Sequence, residues 1–407
     1  MRITNSGGMI YCRWTDKNMS QVNIKDVDPV DFFQQHMNDI RSGMIDGKSL
    51  DDCKNCYQME QHNKVSGRQK QLLKVGVRLE QFEKTLASSP WVDTFRSKQF
   101  TQLPQDWQID LGNYCNSACI FCHPGASSRL AAEWKRIGFI DQMPLENWTD
   151  SPELVDKFIA TLEQSKHIQY LHFIGGETLI TPAFRTILKA LISAGLNQTA
   201  TIGFTTNLIT WNQEVVDLLT QFSSVNLGMS IESFDSINDY VRWPATLSKV
   251  HETLDQWLHL AKTHDWLMQF RTTPTILTID SLLSVYQYAW DHDIAIESCN
   301  FLDRPEVMRP SVMPMDDRLL IVNRMTAWIA DRDLNVQTII NTRDPNVVKQ
   351  QIVQDLQSYV HYLKHEPDES FRLPELMTYL KRIESSRGNS VLTYLPQYEE
   401  LFRTAGY

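Results

Sequence analysis

From about residue 105 the chain repeats one unit six times, a short apolar run of strand length followed by a longer stretch with apolar residues at helical spacing. This alternation leaves few folds open, because neighbouring parallel strands need a long crossover and a helix usually supplies it. The spacing predicts strands at Trp107–Leu111, Ile168–Ile174, Ala200–Thr205, Ser224–Ile231, Trp266–Thr272 and Ile294–Phe301. Between them Leu154–Ser165, Phe184–Ala194, Val215–Phe222, Val250–Thr263 and Leu282–Asp291 read as helices, with Asn212 and Asp280 as N-caps. Six units make an α/β fold with an open partial (β/α)6 TIM-like barrel rather than the closed eightfold one. Sites in such architectures gather at the C-terminal ends of the strands.

The barrel is expected over residues 105–310, between an N-terminal module at 1–104 and a C-terminal helical extension at 311–407. In the extension Met315–Ala330, Asn346–His365 and Leu373–Ser386 read as amphipathic helices that close the open side of the barrel. Their aromatic residues Trp328, Tyr359, Tyr362 and Tyr379 read as packing.

Directly after the first expected strand, the run from Asp110 to Cys122 places Cys115, Cys119 and Cys122 in one loop. Three thiolates from one loop can hold a polynuclear iron–sulfur cluster and leave one iron without a protein ligand. With His123 the same thiols could hold zinc, although zinc ligands usually come as two pairs from two loops. Cys12, Cys53 and Cys56 form a second group ahead of the barrel, and a pair two residues apart can chelate a metal from a single turn. Asp28–Gly43 is expected as a capped helix that brings Cys12 toward the pair. Cys299 reads as a small buried apolar residue, with a fourth cluster ligand or a radical relay as alternatives. Seven cysteines, six of them in two tight groups, fit metal ligation in a reducing cytoplasm better than a disulfide framework.

Composition narrows the partners. Apolar residues at 42% and charged residues at 22% describe a folded globular chain. A net charge of −10 disfavours nucleic acid as a partner. No apolar run approaches the roughly twenty residues of a spanning helix, and no signal peptide is visible, so a membrane is not expected either.

Other candidate residues lie at the ends of later strands. Gly175, Gly176 and Glu177 follow the second, and paired glycines let a backbone approach a ligand closely. Thr205-Thr-Asn-Leu208 ends the third, where Asn207 either touches a ligand or caps the turn. Ser230 and Glu232 share one face of the fourth by alternation, with Arg242 ten residues beyond Glu232. Arg271 ends the fifth and could neutralise a carboxylate of cofactor or substrate.

The C-x3-C-x2-C spacing, with Phe121 just before the last cysteine, resembles the cluster loop of radical S-adenosylmethionine (SAM) enzymes. The resemblance implies a [4Fe-4S] cluster on Cys115, Cys119 and Cys122 whose open iron holds SAM. An electron from the cluster would then cleave a carbon–sulfur bond, and a 5′-deoxyadenosyl radical would abstract hydrogen from substrate. It also makes Phe121, Gly175, Gly176 and Glu177 cofactor contacts, the Glu177 carboxylate meeting the amino group of SAM. Ser230 would bind ribose, with Asn207, Glu232, Arg242 and Arg271 as further site residues. Two positions depart from the family pattern, Thr178 where proline is frequent and Leu208 where glycine is usual.

The N-terminal cysteines, with Tyr57, Glu60, Ser66 and Arg68 after them, resemble the twitch domain, a shortened relative of the SPASM domain that houses an auxiliary [4Fe-4S] cluster. In one group of phage and bacterial radical SAM proteins this module precedes the barrel, and Pro305, Pro310, Pro314, Arg387-Gly and Tyr394-Leu-Pro-Gln-Tyr398 look like that group's later landmarks. Only three cysteines are present where a fully protein-ligated cluster takes four, so His62, Cys299 or an open iron completes it, or the site holds zinc. The resemblance implies an oxygen-sensitive oxidoreductase or tailoring enzyme acting on a peptide or protein side chain, fed by a donor such as flavodoxin or ferredoxin. No leader-peptide-binding module is read ahead of the cysteines. A dehydrogenase or epimerase of a sugar, cyclitol or amino acid is the alternative, and a non-catalytic metal-binding scaffold the remote one.

Overall fold

The computed structural model describes residues 1–12, 22–61, 66, 69, 103–144, 146–165, 167–296, 300–332 and 345–407. Eight strands form one sheet: β1 (Arg2–Ile3), β2 (Met9–Ile10), β3 (Asp106–Asp110), β4 (Tyr170–Ile174), β5 (Thr201–Thr206), β6 (Ser224–Ser230), β7 (Leu267–Arg271) and β8 (Ala295–Ile296). From β3 to β8 every neighbour is parallel and the spatial order is the chain order. Parallel crossovers turn right-handed, so a run of sequential neighbours puts all the helices on one side of the sheet. The sheet then curls with its bare face inward, and the partial barrel follows from connectivity.

Strict alternation along the strands separates the two faces. Trp107, Ile109, Leu171, Phe173, Ile202, Phe204, Val225, Leu227, Met229, Met268 and Phe270 are buried in one apolar core with the covering helices. The opposite face carries Gln108, Asp110, Tyr170, His172, Thr205, Asn226, Ser230, Gln269 and Arg271. This inner face is mostly polar, with Ile174 and Leu267 among the apolar residues on it. Burying the outer strand face and its helices supplies the stabilisation, at roughly 25 cal/mol per Å² of apolar area, and leaves the inner face available for a ligand.

Each expected helix between strands forms: Pro152–Gln164, Pro182–Ser193, Gln213–Leu219, Leu247–His264 and Leu282–Asp291. Asn212 caps as expected, its side chain accepting from the Val215 N–H at 3.3 Å. Asp280 does not. A 3-10 turn at Ile279–Ser281 precedes the helix, and the Asp280 carboxylate instead takes Arg324 and Gln397. For the sixth barrel strand Ala295–Ile296 is described, while Cys299 lies outside the described residues.

Residues 1–10 extend the barrel sheet, with β1 parallel to β3 and β2 antiparallel to β1. The single helix expected at Asp28–Gly43 is broken. Asp28 caps Val30 as expected, but Phe32–His36 forms a wider turn and a new helix runs Asn38–Ile45. Gly47, at φ +67°, marks its end rather than Gly43, over which Leu50 packs. In the C-terminal extension, Met315–Ala330 and Pro345–His365 pack together and the latter lies beside β8. The helix Leu373–Arg387 runs to the cysteine loop.

Candidate active site at the cysteine loop

The loop carrying Cys115, Cys119 and Cys122 leaves the C-terminal end of β3 and is held from three directions. The segment 241–243 grips it by backbone bonds: the Ala118 N–H donates to Trp243 O at 2.8 Å and the Ile120 N–H to Val241 O at 2.9 Å. From the end of β5, Asn207 Nδ2 donates to Asn116 Oδ1 at 2.7 Å and to Ser117 Oγ at 3.1 Å. From the C-terminal helix, Tyr379 Oη donates to Ile120 O and Arg387 Nη2 to Ala118 O at 2.6 Å. Asn207 therefore tethers the cysteine loop, a role between the two expected for it. Its own side chain also accepts from the Ile209 N–H, which shapes the turn.

Gly175 and Gly176 have a definite reason to be glycine. Both take positive φ, +99° and +53°, and a Cβ on Gly176 would stand 2.0 Å from Tyr114 O. A Cβ on Gly175 would meet Asp110 Oδ1 at 2.2 Å. The backbone these glycines approach is the cysteine loop itself, sealed by the Glu177 N–H donating to Tyr114 O at 2.7 Å. Gly176→Ala adds a left-handed alanine to a backbone clash and should cost more than about 2 kcal/mol. A thermal melt of the metal-free protein checks this.

Glu177 is fully buried and its carboxylate points into the protein. Oε2 accepts from the Asn207 N–H at 2.7 Å, Oε1 from the Leu179 N–H at 3.3 Å, and Thr206 donates its hydroxyl. Burial pushes its pKa up to about 7 against those donors. Here the residue expected to meet the amino group of SAM clamps the second strand end to the third.

Glu232 is similarly engaged. One oxygen pairs with Arg242 Nη1 at 3.0 Å, and the other accepts from Thr272 Oγ1 at 3.1 Å and the Thr273 N–H at 2.6 Å. Burial alone would lower the Arg242 pKa, but Cys119, Glu232 and Cys115 together hold it raised. Arg242 is thus a buried cation beside the thiols, held in place by Glu232. Ser230 ends β6 on the inner face, directly opposite Arg271 in register. Arg271 lies across Gly228, where a Cβ would be 2.6 Å from its Nε, and reaches His172 Nε2 at 3.2 Å. Phe121 is partly buried against the core.

All six described cysteines are free thiols. Burial raises Cys115 to about 11 and Cys122 to about 12, and raises Cys119 as well. Thiols this reluctant to ionise in isolation suit a site whose metal displaces their protons. The Ser117 N–H already donates to the Cys115 sulfur at 3.4 Å. Among the described residues no three His, Cys, Asp or Glu side chains converge as for a single metal ion. Three free thiols on one short loop, an N–H aimed at sulfur and a buried arginine beside them fit a cluster that is anionic through its thiolates.

The family comparison coincides with this geometry. Residues 109–264, from β3 through the helix before β7, match the Radical SAM superfamily. That stretch carries a radical SAM domain. The domain begins at the strand that launches the cysteine loop and ends at the helix before the Arg271 strand. No curated protein matches in sequence. Solved structures that resemble the chain include Streptococcus suis SuiB bound to S-adenosylmethionine (14% identity, TM-score 0.38, covering 62% of this chain and 50% of SuiB). Another is a histidine-tagged anSMEcpe with bound AdoMet (16%, 0.40, 56% and 61%), and a third the methyltransferase TsrM from Kitasatospora setae (14%, 0.29, 44% and 32%). The chain covers half of the SuiB chain and under two thirds of anSMEcpe. At these scores the likeness carries nothing about substrate.

The N-terminal cysteines are placed less decisively. Cys53 closes a 3-10 turn and Cys56 is buried in the helix Lys54–Gln61, so the two lie three apart on one side. Ser66 Oγ donates to Glu60 Oε1 at 2.5 Å, and the Leu50 N–H donates to Tyr57 Oη at 3.4 Å. Cys12 follows β2, near the Met1 ammonium that donates to Asp106 O, at the opposite end of β3 from Cys115. His62 and Arg68 lie outside the described residues.

Tyr170, His172, Thr205, Asn226 and Gln269 on the inner face are candidates that strand-end reasoning missed. The signal was the alternation inside each strand, as in Tyr-Leu-His-Phe-Ile, where Tyr170 and His172 alternate with Leu171 and Phe173. Thr205 Oγ1 is buried there without a hydrogen-bond partner in the chain.

Proposed function

We propose that this chain is a radical SAM enzyme that abstracts hydrogen from a substrate seated on the polar inner face of the barrel. The observation that carries the reading is the cysteine loop at the C-terminal end of β3, bound to the Gly-Gly-Glu turn and opening onto that face. Bound on Cys115, Cys119 and Cys122, a [4Fe-4S] cluster would supply the electron that cleaves SAM and yields the 5′-deoxyadenosyl radical. The polypeptide does the rest. Asn207, Tyr379 and Arg387 fix the loop, Arg242 stabilises thiolate charge, and Ser230 and Thr205 offer hydroxyls toward cofactor and substrate. The apolar core behind the sheet excludes water from one side of the chamber.

The substrate is a peptide or protein side chain in a tailoring reaction, with a hydroxyl-bearing or amino-acid metabolite as the second reading. Gln108, Asn226 and Gln269 favour groups rich in hydrogen-bonding partners, which both classes offer. Cys12, Cys53 and Cys56 would hold an auxiliary cluster in a twitch-like module over residues 1–104. A flavodoxin- or ferredoxin-type donor would supply the electron. Among the described residues no helix is long and apolar enough to cross a membrane.

Protein reconstituted with iron and sulfide under nitrogen, then reduced with dithionite in the presence of SAM, should release methionine and 5′-deoxyadenosine. Iron incorporation without either product would leave only the scaffold reading.

A further inference from the structure

Near Cys119, at the end of the C-terminal helix Leu373–Arg387, lies an ion pair of which the radical SAM reading uses only the Arg387 bond to the loop, not the charge. Arg387 donates to Glu133 through Nε at 3.0 Å and Nη2 at 2.6 Å, and the same Nη2 reaches the Ala118 carbonyl at 2.6 Å. Both side chains are almost completely buried, at 1% and 4% exposure. Burial would raise Glu133, yet the bonds from Arg387 and Ser386 hold it below its ordinary range, so the pair is ionised. The Arg387 guanidinium also lies 5.0 Å over the Trp243 ring, and Trp243 O accepts from the Ala118 N–H. One residue thus touches both sides of the loop beside Cys119.

Two observations turn this clamp toward the cluster. Arg387 Nη1 is buried with no hydrogen-bond partner in the chain, a costly state for a guanidinium donor unless another acceptor is supplied. Its charge also reaches Cys119, with Arg242 on the same thiol. The Glu133 oxygens are turned to Arg387 and Ser386. Of the pair, Arg387 is the member that hydrogen-bonds the loop next to Cys119.

We propose that Arg387 is a positioning residue that sets the reduction potential of the cluster on Cys115, Cys119 and Cys122, with Glu133 as the counterweight that limits its effect. The proposal rests on the radical SAM reading. Reduction adds one electron, here from dithionite, to a cluster that is already anionic through its thiolates. A buried cation favours the reduced form, and the potentials of such clusters follow local charge and hydrogen bonds to sulfur.

The test is an EPR-monitored redox titration of the reconstituted full-length protein, following the signal that changes when SAM is added. Arg387→Gln keeps donors for Ala118 O but removes the charge, and should move the midpoint negative. A tenfold change in the oxidised-to-reduced ratio corresponds to about 59 mV for one electron. Glu133→Gln leaves Arg387 charged and uncompensated and should move the midpoint positive. Arg387→Lys should stay near the wild type. A merely structural clamp would shift the Gln variants in the same direction through loop loosening, and that result, or no shift in either, overturns the proposal. If Arg387→Gln takes up no iron, the Glu133→Gln and Arg387→Lys midpoints decide it by the same signs. Failure of the wild type to cleave SAM would sink the underlying function instead.

Discussion

Cys119→Ala protein, reconstituted anaerobically, is expected to make no 5′-deoxyadenosine and to hold about four irons fewer than the wild type. Cys119 is the informative member of the trio because its neighbours are fixed without it. Ala118 and Ile120 are pinned through both N–H and C=O groups to Trp243, Val241, Arg387 and Tyr379. Losing one sulfur there removes a ligand but leaves the loop's backbone bonds intact, so the metal-free variant should melt within about 1 kcal/mol of the wild type. Iron analysis and product chromatography check the first half, and a thermal melt the second. A variant that keeps its full iron and its SAM cleavage would show that Cys119 is not a ligand.

Replacing Glu177 separates two roles that the sequence alone cannot. A residue that only meets SAM would leave the metal-free, SAM-free protein unchanged in stability. The buried carboxylate instead accepts from two backbone N–H groups, at Asn207 and Leu179. Glu177→Ala orphans both and should cost roughly 2–6 kcal/mol, at about 1–3 for each buried unsatisfied donor. Glu177→Gln keeps one acceptor and should cost about half as much. The pH dependence has a definite sign. The buried carboxyl titrates near 7 and an unfolded one near 4.5, so the unfolded chain loses its proton first. Glu177 therefore makes the apo-protein less stable as pH rises from about 4.5 to about 7, and the Gln variant should lack that slope. Denaturant unfolding at several pH values measures all three statements, and an unchanged apo-stability in Glu177→Ala would remove the clamp.

Much of this molecule was legible before any coordinate. Five of the six barrel strands fell within two residues of their expected places, because an apolar run facing a helical layer is unambiguous. The sixth, expected over Ile294–Phe301, is described as strand only at Ala295–Ile296 and is irregular at Asn300 and Phe301. Met315–Ala330 and Leu282–Asp291 formed over the expected spans for the same reason. The cysteine loop was legible because three thiols in eight residues have few uses. What the sequence hid was which partner each polar group takes. Gly175 and Gly176 signalled close approach, and within the chain the backbone they approach is that of Asp110–Tyr114. Leu208 reads as a departure from a glycine pattern, and the structure keeps φ at +64° there with the leucine fully buried. Losing that burial would cost about 2–5 kcal/mol. The strain of the left-handed backbone is about 1–2 kcal/mol, so packing outweighs it. The Asp28 helix was read as continuous because its polar pattern gives no sign of the wide turn at Phe32–His36. Arg387 and Glu133 stand 254 positions apart, and no local pattern joins them.

The central claim is that Cys115, Cys119 and Cys122 hold a cluster with one iron open to SAM. It is tested most directly on a full-length Cys12→Ala, Cys53→Ala, Cys56→Ala variant, whose second cysteine group is gone. Its reduced EPR spectrum should show one cluster of about four irons whose signal changes on adding SAM. A spectrum indifferent to SAM, or a protein that binds a single zinc in place of iron, would contradict it.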